Sequence, residues 1–131
     1  MPAEVDLHLH TLASDGRLTP TELIQLVAEK GLKVVSVSDH DSTEGLAEAY
    51  QAAAEFPGLR IIPGIELSTD IPRDEIHMLG YFMRYEDEEF QDILRQFREG
   101  RLERGRLMVE KLATLGIHVE WERVREIAGE G

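Results

Sequence analysis

Hydrophobic and polar positions alternate with a period of two at the start of the chain, over residues 5–10. The aliphatic positions are Val5, Leu7 and Leu9, and the polar positions are Asp6, His8 and His10. This alternation predicts a strand that buries an aliphatic row on one side and carries a carboxylate and two imidazoles on the other. The Ser-Asp-Gly sequence at residues 14–16 predicts a turn that brings Asp15 back towards the end of this strand.

A pattern of residues typical of a helix follows the first predicted strand. Thr19, Pro20 and Glu22 are typical of a helix start, with an N-cap residue, a proline at the first helical position and a capping box. The helix should end at Gly31. The positions that we expect it to bury are Leu23, Ile24, Leu26 and Val27.

The rest of the chain alternates between strand and helix patterns before it becomes helical. The predicted elements are a strand over 34–38, a helix from 42 or 43 to 56, a strand over 60–67 with a bend or bulge at Pro63, a loop over 69–74, a strand over 75–82, and helical segments over 87–116 and 120–128. Gly100 and Gly105 leave open whether the long segment is one kinked helix or two. Strands that alternate with helices favour an α/β fold with a parallel sheet and right-handed crossovers.

Composition narrows the classes of function. The 131 residues are 42% hydrophobic and 31% charged, which indicates one folded domain or a part of one. The formal net charge is −12, whereas proteins that bind duplex DNA typically carry a basic surface, so we expect no duplex-DNA partner. The absence of cysteine excludes disulfides and thiolate metal sites. The sequence has no apolar run of membrane length and no signal-like start, so we expect a cytoplasmic protein without a membrane partner.

Positive charge concentrates in the long helical segment. The arginines there are Arg95, Arg98, Arg101, Arg104 and Arg106. A solvated helix face that pairs with nearby glutamates is the interpretation we favour. The alternative is a patch that binds phosphate or a nucleic-acid strand.

Four of the five histidines stand at or just after the ends of predicted strands, each beside carboxylates. The histidines are His8, His10, His40 and His77, and the carboxylates are Asp6, Asp15, Asp39, Asp41 and Glu66. Because the carboxyl ends of parallel strands meet at one edge of a sheet, we expect these side chains to converge. Imidazole and carboxylate ligands suit zinc, manganese or iron.

The convergence predicts specific chemistry. A bridging carboxylate such as Glu66 allows two metal ions to share a site that ionises water and clamps phosphoryl oxygens. Asp6, Asp39 and Asp41 are candidates to orient the imidazoles from behind. The fifth histidine, His118, follows a helix and is interpreted as a surface residue.

Four motifs in order resemble those of the PHP (polymerase and histidinol phosphatase) superfamily. They are Asp6-Leu7-His8-Leu9-His10-Thr11 with Ser14-Asp15-Gly16, Ser38-Asp39-His40-Asp41, Pro63-Gly64-Ile65-Glu66, and His77-Met78-Leu79-Gly80-Tyr81. The flanking sequence is most similar to small bacterial metal-dependent phosphoesterases, which include nucleoside 3′,5′-bisphosphate phosphatases and 5′-to-3′ exoribonucleases. The resemblance implies a distorted, TIM-like β/α barrel of mostly parallel strands, with two or three divalent metal ions.

The resemblance also assigns ligands. It implies that His8 and His10 hold one metal with Glu66 as a bridge, that Asp15 and His40 hold a second, and that Glu66 and His77 hold a third. Asp15, His40 and Glu66 would then carry the catalytic roles. Arg17, beside the Asp15 turn, is a candidate phosphate contact.

The sequence departs from the family in lacking the final Asp-x-His motif and a middle histidine ligand. We therefore expect the N-terminal half of the barrel at residues 1–85 and the start of an inserted helical segment at 86–131. Such a portion would leave an open sheet edge for self-association or for a C-terminal half. The predicted substrate is a phosphorylated nucleotide or short RNA. The alternatives are a non-catalytic metal-binding or assembly module and a histidinol-phosphate phosphatase.

Overall fold

The structure, a computed structural model, describes residues 4–71 and 74–128. The strands are β1 (Val5–Leu9), β2 (Val34–Val37), β3 (Arg60–Ile71) and β4 (Asp74–Tyr81). The helices are α1 (Pro20–Glu29), α2 (Glu44–Ala53), α3 (Glu88–Thr114) and α4 (Trp121–Ala128). Strand and helix alternate up to β3, which confirms the predicted α/β class.

The four strands form one sheet in the order β1-β2-β3-β4. β1 with β2 and β2 with β3 are parallel, whereas β3 and β4 form an antiparallel pair. β3 changes its partner at Pro63: residues 60–63 pair with β2, and residues 64–71 pair with β4. Pro63, where we expected a bend or bulge, therefore marks this change of partner. The register shift lies instead in β1, between Asp6 and Leu9.

The prediction of a loop over residues 69–74 is wrong. β3 continues to Ile71, which pairs with Asp74 at the start of β4, so only residues 72 and 73 separate the two strands. Pro72 lies outside the described residues, as does Arg73. The polar and proline residues there suggested a long loop, but cross-strand pairing takes up most of this stretch.

The sheet curls, so that its two outer strands approach each other. The Tyr81 hydroxyl of β4 donates a hydrogen bond to the Leu7 carbonyl of β1 over 2.9 Å. This contact joins the first and last strands of the sheet. The observed sheet is the curled, mostly parallel half-barrel that the resemblance implies.

The core lies between the sheet and helices α1 and α2. Its buried residues are Leu23, Ile24, Val27, Val35, Val37, Leu46, Ala49 and Ile61. The α1 capping box is confirmed, because Thr19 accepts from the Glu22 amide and Glu22 accepts from the Thr19 amide over 2.9 Å. Leu26, which we expected to be buried, is 39% exposed on the outer side of α1.

The aliphatic row of β1 is less buried than the alternation predicts. Val5 is 52% exposed and Leu7 is 37% exposed, whereas Leu9 packs against the core. The physical reason is the position of β1 at the edge of the sheet, because the buried core is drawn from β2, β3 and the two helices. The alternation therefore identified the two faces of the strand but overestimated its burial.

The long helical segment is one helix. α3 spans 27 residues from Glu88 to Thr114 and contains both Gly100 and Gly105. The Asp87 side chain caps it by accepting from the Phe90 amide over 3.2 Å. Leu94 is fully buried and anchors α3 to the rest of the chain. Among the described residues, no helix has the length and apolar character needed to cross a membrane.

Candidate metal centre

Backbone hydrogen bonds bring the ends of β1 and β2 and the middle of β3 to one edge. The Ser38 amide donates to the Leu9 carbonyl over 2.8 Å, and the Asp41 amide donates to the Glu66 carbonyl over 3.0 Å. His40 and Glu66 form an isolated parallel bridge. We call this edge of the sheet, which carries His10, His40 and Glu66, the rim. The rim places side chains from distant parts of the sequence within reach of one another.

The turn after β1 adds Asp15 to the rim. It closes where the Gly16 amide donates to the Thr11 carbonyl over 2.9 Å. A Cβ at Gly16 would lie 2.4 Å from the His10 carbonyl oxygen, so this position requires glycine. The tight return brings the Asp15 carboxylate to 3.1 Å from Nδ1 of His10 and 3.5 Å from Nε2 of His40.

Glu66 lies at the centre of the histidines and is only 5% exposed. Its Oε2 is 2.7 Å from Nε2 of His8, 3.2 Å from Nε2 of His10 and 3.6 Å from Nε2 of His40. Its Oε1 is 3.0 Å from Nδ1 of His77. The two oxygens of one buried carboxylate thus face four imidazoles.

The structure brings together all six side chains that the sequence suggested as ligands. We call them the ligand cluster: His8, His10, Asp15, His40, Glu66 and His77. They form three overlapping groups, namely His8 with His10 and Glu66, His10 with Asp15 and His40, and His40 with Glu66 and His77. Within each group, one donor atom per residue lies within 4.8 Å of the others.

For two members of the cluster, the local environment shifts the pKa towards the protonation state that metal binding needs. Burial lowers the pKa of His40, and this outweighs the opposing attraction of Glu66 and Asp15. Burial alone would raise the pKa of Glu66, but the hydrogen bond from His8 and the charges of the imidazoles lower it. A neutral imidazole and an ionised carboxylate are the forms that coordinate a metal ion.

The donor geometry fits a divalent ion. Metal–nitrogen and metal–oxygen bonds of about 2.0–2.2 Å put neighbouring donors of a tetrahedral ion roughly 3.3–3.6 Å apart. The closest nitrogen–oxygen pairs of the cluster are 2.7 to 3.6 Å apart. The longer of these separations match the spacing of donors around one ion, whereas the shortest, between His8 and Glu66, is a direct hydrogen bond. The set lacks sulfur and combines imidazole with carboxylate, which suits zinc, manganese or iron.

The three carboxylates expected to orient the imidazoles bond to other groups. Asp6 Oδ1 accepts from the backbone amide of His8 over 3.1 Å, not from its ring. Asp39 is 2% exposed and accepts three hydrogen bonds of 2.7 Å: Oδ1 from the Thr11 amide and the Ser14 hydroxyl, and Oδ2 from the Thr11 hydroxyl. Asp39 thus holds the turn that carries Asp15, and its effect on the cluster is indirect.

Asp41 connects the rim to α3. Its Oδ1 accepts from the Ser68 amide over 2.9 Å, and its Oδ2 lies 3.3 Å from Nη1 of Arg101. Its carbonyl accepts from Nη1 of Arg98 over 2.9 Å. Asp41 itself is fully buried and has a positive φ of 49°. A non-glycine residue in this conformation is uncommon, and these three contacts, with the hydrogen bond from its amide to the Glu66 carbonyl, hold it there.

From the sequence, the arginines of α3 are interpreted either as a solvated helix face that pairs with nearby acidic residues or as a patch that binds phosphate, and they divide between these two. Arg95 and Arg106 pair with acidic residues of their own helix, at 2.9 Å from Asp92 and 3.5 Å from Glu110. Arg98 and Arg101 instead turn towards the rim. Helical spacing could not have singled them out, because Arg95 stands three residues before Arg98 in the same spacing and pairs within its own helix.

The remaining candidates lie at the surface. Arg17 is exposed, and its contact with phosphate stays a prediction. His118 is also exposed, as the sequence indicated.

The curled half-barrel with histidine and carboxylate side chains at its rim defines a class of protein, and comparison with known families identifies it. The PHP domain model matches residues 6–119, so this chain belongs to the PHP domain family. The matched stretch contains every residue of the ligand cluster.

Curated relatives give this assignment its context. The chain is 41% identical over 115 residues to a 3′,5′-nucleoside bisphosphate phosphatase of Chromobacterium violaceum, covering 88% of this chain and 40% of the relative. It is 36% identical over 127 residues to the 5′-3′ exoribonuclease Rnm of Salmonella typhimurium, covering 96% of this chain and 43% of the relative. The chain therefore spans less than half the length of these relatives.

Solved structures show the same fold. An amidohydrolase from Chromobacterium violaceum, solved with sulfate and without metal, matches with a TM-score of 0.79 and 39% identity over 91% of this chain and 42% of its own. A candidate metal-dependent phosphoesterase from Bifidobacterium adolescentis matches with a TM-score of 0.74 and 34% identity, over 84% of this chain and 38% of its own.

Proposed function

We propose that the protein to which this chain belongs is a metal-dependent phosphoesterase that hydrolyses phosphate monoesters of nucleotides or of the 5′ ends of short RNA. The observation that carries this proposal is the ligand cluster around Glu66, in which four imidazoles face one buried carboxylate. Structural ion pairs seldom gather four histidines on one acid, whereas metal sites need such sets.

The resemblance to the PHP superfamily implies how the ligands divide among the ions, and the distances are compatible with that division. Nε2 of His10 faces Glu66 at 3.2 Å, and its Nδ1 faces Asp15 at 3.1 Å. A neutral imidazole has one free nitrogen lone pair, so His10 serves one ion only. We assign His8, His10 and Glu66 to one ion, Asp15 and His40 to a second, and Glu66 with His77 to a third.

The residues of the chain supply positioning and charge. Bound manganese, zinc or iron would supply Lewis acidity towards phosphoryl oxygens and would ionise water at neutral pH. The two carboxylate oxygens of Glu66 face different imidazoles, so Glu66 would join neighbouring metal positions. The arrangement of the metal site therefore depends on this residue. Asp15 and His40 face each other across the rim and complete the catalytic set.

The nucleotide class rests on the relatives, two of which are named for nucleoside bisphosphates and for RNA. We further infer that residues 1–85 form the N-terminal half of the barrel and that 86–131 begin an inserted helical segment. In support, α3 and α4 follow the sheet, and Arg98 and Arg101 connect α3 to the rim.

The test is phosphate release from adenosine 3′,5′-bisphosphate by the full-length protein and by a variant with His8→Ala and His10→Ala. We expect the variant to lose both bound metal and turnover. His118→Ala is the matched control, because this histidine is exposed and lies outside the cluster. Turnover that survives in the double variant would refute the proposal. Metal binding without hydrolysis of nucleotides or short RNA would favour a non-catalytic module.

A further inference from the structure

A cleft of about 500 Å³ opens beside the ligand cluster. Its wall on the rim side includes Ala13 and His40, and its far wall is formed by α3 and α4. The cleft is thus continuous with the candidate metal centre at one end and bounded by the helical segment at the other. A molecule that presents one phosphate to the cluster would extend into it.

Guanidinium groups concentrate in this cleft. Arg98, Arg101 and Arg125 line it, together with the carboxylate of Glu44. Each arginine has a carboxylate within reach, namely Glu44 at 3.9 Å from Arg98, Asp41 at 3.3 Å from Arg101 and Glu122 at 3.8 Å from Arg125, so the cleft offers hydrogen-bond donors rather than a large net positive charge. Arg98 and Arg101 keep 34% and 41% of their side-chain surface exposed. Their guanidinium groups have five N–H donors each, more than their contacts with Asp41 use.

An aromatic side chain lines the same wall of the cleft as these charges. Trp121, the one tryptophan of the sequence, is half-buried at the start of α4 and lines the cleft with Leu102 and Val124. Its ring lies against α3 at Gly105, where a Cβ would be 3.4 Å from Cζ3 and Cη2 of the indole. The absence of a side chain at Gly105 leaves room for this edge of the ring. The half-buried indole keeps part of its surface in the cleft, where a base could stack on it.

We propose that this cleft binds the nucleoside part of the substrate, with Trp121 stacking on the base and Arg98 and Arg101 contacting a phosphate that the ligand cluster does not hold. The combination of an aromatic surface with arginines is the one that recognises nucleotides without reading base edges. This inference rests on the proposed function and deepens it. The cleft would distinguish nucleotides from other phosphate monoesters.

Trp121 provides its own probe. Because it is the one tryptophan of these 131 residues, its fluorescence reports on this cleft. The metal-loaded full-length protein is titrated with adenosine 5′-monophosphate and, separately, with ribose 5-phosphate, which lacks only the base. Any tryptophan outside residues 1–131 is first replaced by phenylalanine. We expect saturable quenching by the nucleotide and little change with the sugar phosphate. Equal responses to both ligands, or no response to either, would overturn the proposal.

A variant adds a second readout. Trp121→Leu should raise KM for adenosine 3′,5′-bisphosphate by roughly 5- to 150-fold, the range expected for loss of one stacked base. The loss of kcat/KM for ribose 5-phosphate should be much smaller, because this ligand has no base. Leu115→Ala is the control, because this residue is exposed and does not line the cleft. An equal loss on both substrates would contradict base stacking.

The two proposals fail in different ways. A protein that hydrolyses nucleotides and ribose 5-phosphate equally well, with silent Trp121 fluorescence, would retain the proposed function and lose the base subsite. A protein that hydrolyses no phosphate ester would lose the proposed function, and the fluorescence titration would still decide whether the cleft binds a nucleotide. The titration uses the wild-type cleft, so it does not depend on the folding of Trp121→Leu.

Discussion

Asp39 offers the sharpest test of how the site is held in shape. This carboxylate is 2% exposed and accepts three hydrogen bonds from Thr11 and Ser14, each 2.7 Å long. Thr11 is itself fully buried, so its amide and hydroxyl have no route to water if Asp39 is removed. The turn that these bonds secure carries Asp15. We therefore expect substitution of Asp39 to weaken both the fold and the metal centre.

The expected loss of stability follows from the number and type of hydrogen bonds that each substitution removes. Hydrogen bonds to a charged group contribute about 1.5–3 kcal/mol each and neutral ones about 0.5–1.5 kcal/mol. Asp39→Asn keeps the shape of the side chain and removes its charge. Because a buried charge is itself unfavourable, its removal offsets part of the loss, and we expect the free energy of unfolding to fall by about 2 kcal/mol. Asp39→Ala leaves two buried donors of Thr11 without a partner, and we expect about 4 kcal/mol.

The assay is urea unfolding of the metal-free protein, so that metal binding does not mask the loss. Asp92→Asn is the control, because Asp92 pairs with Arg95 at the exposed surface of α3. Such a pair contributes about 0.5 kcal/mol or less. Metal affinity is then measured for the same three variants. The reasoning is refuted if Asp39→Ala unfolds at the same urea concentration as Asp92→Asn, or if it binds metal as tightly as the wild type.

Two further predictions concern the fold. In Gly64→Ala, the new Cβ would lie 2.1 Å from Ser36 Oγ and 2.9 Å from the Val37 carbonyl, so we expect a loss of about 2 kcal/mol or more, measured by thermal unfolding. Gly58→Ala meets no atom within 4 Å and should unfold close to the wild-type temperature; equal losses in the two variants would contradict the account. Hydrogen bonds from the Thr19 amide and hydroxyl lower the pKa of Glu22 below its ordinary value of 4.5, so its contribution to stability is present above that pH and is lost as the pH falls through the lowered pKa. Glu22→Ala should therefore be less stable than the wild type at neutral pH and differ least in acid, and a gap that widens in acid would contradict this.

Much of the fold could be predicted from local chemistry. The α1 start at Thr19 and Pro20 depends on residues within one turn, so the sequence alone was sufficient. The alternation over residues 5–10 assigned His8 and Leu9 to opposite faces, because the strand period does not depend on distant contacts. Burial is different. Val5 and Leu7 are exposed because β1 is an edge strand, and position in a sheet is a property of the whole fold.

The candidate site shows the same division. Gathering of His10, Asp15 and His40 could be expected, because strand ends converge in parallel sheets. The expected strand-end position is wrong for His77, which lies in the middle of β4, and Glu66 and His77 meet through the antiparallel pairing of β3 with β4. The hydrogen-bond partners of Asp39 and Asp41 could not be predicted from the sequence. Each carboxylate stands beside histidines in the sequence, but the turn after β1 and helix α3 supply the nearer donors in space. The inward turn of Arg98 likewise depends on how α3 sits on the rim, which no local pattern specifies.

The most direct test of the central claim is the number of divalent ions bound per chain, measured by equilibrium dialysis with manganese. The wild-type protein should bind two or three ions, and Glu66→Gln, which keeps the shape of the side chain and removes its charge, should bind fewer and more weakly. Glu103→Gln is the control, since Glu103 is exposed on α3. Equal binding by the wild type and Glu66→Gln would contradict the claim that His8, His10, Asp15, His40 and His77 gather around Glu66 to hold metal.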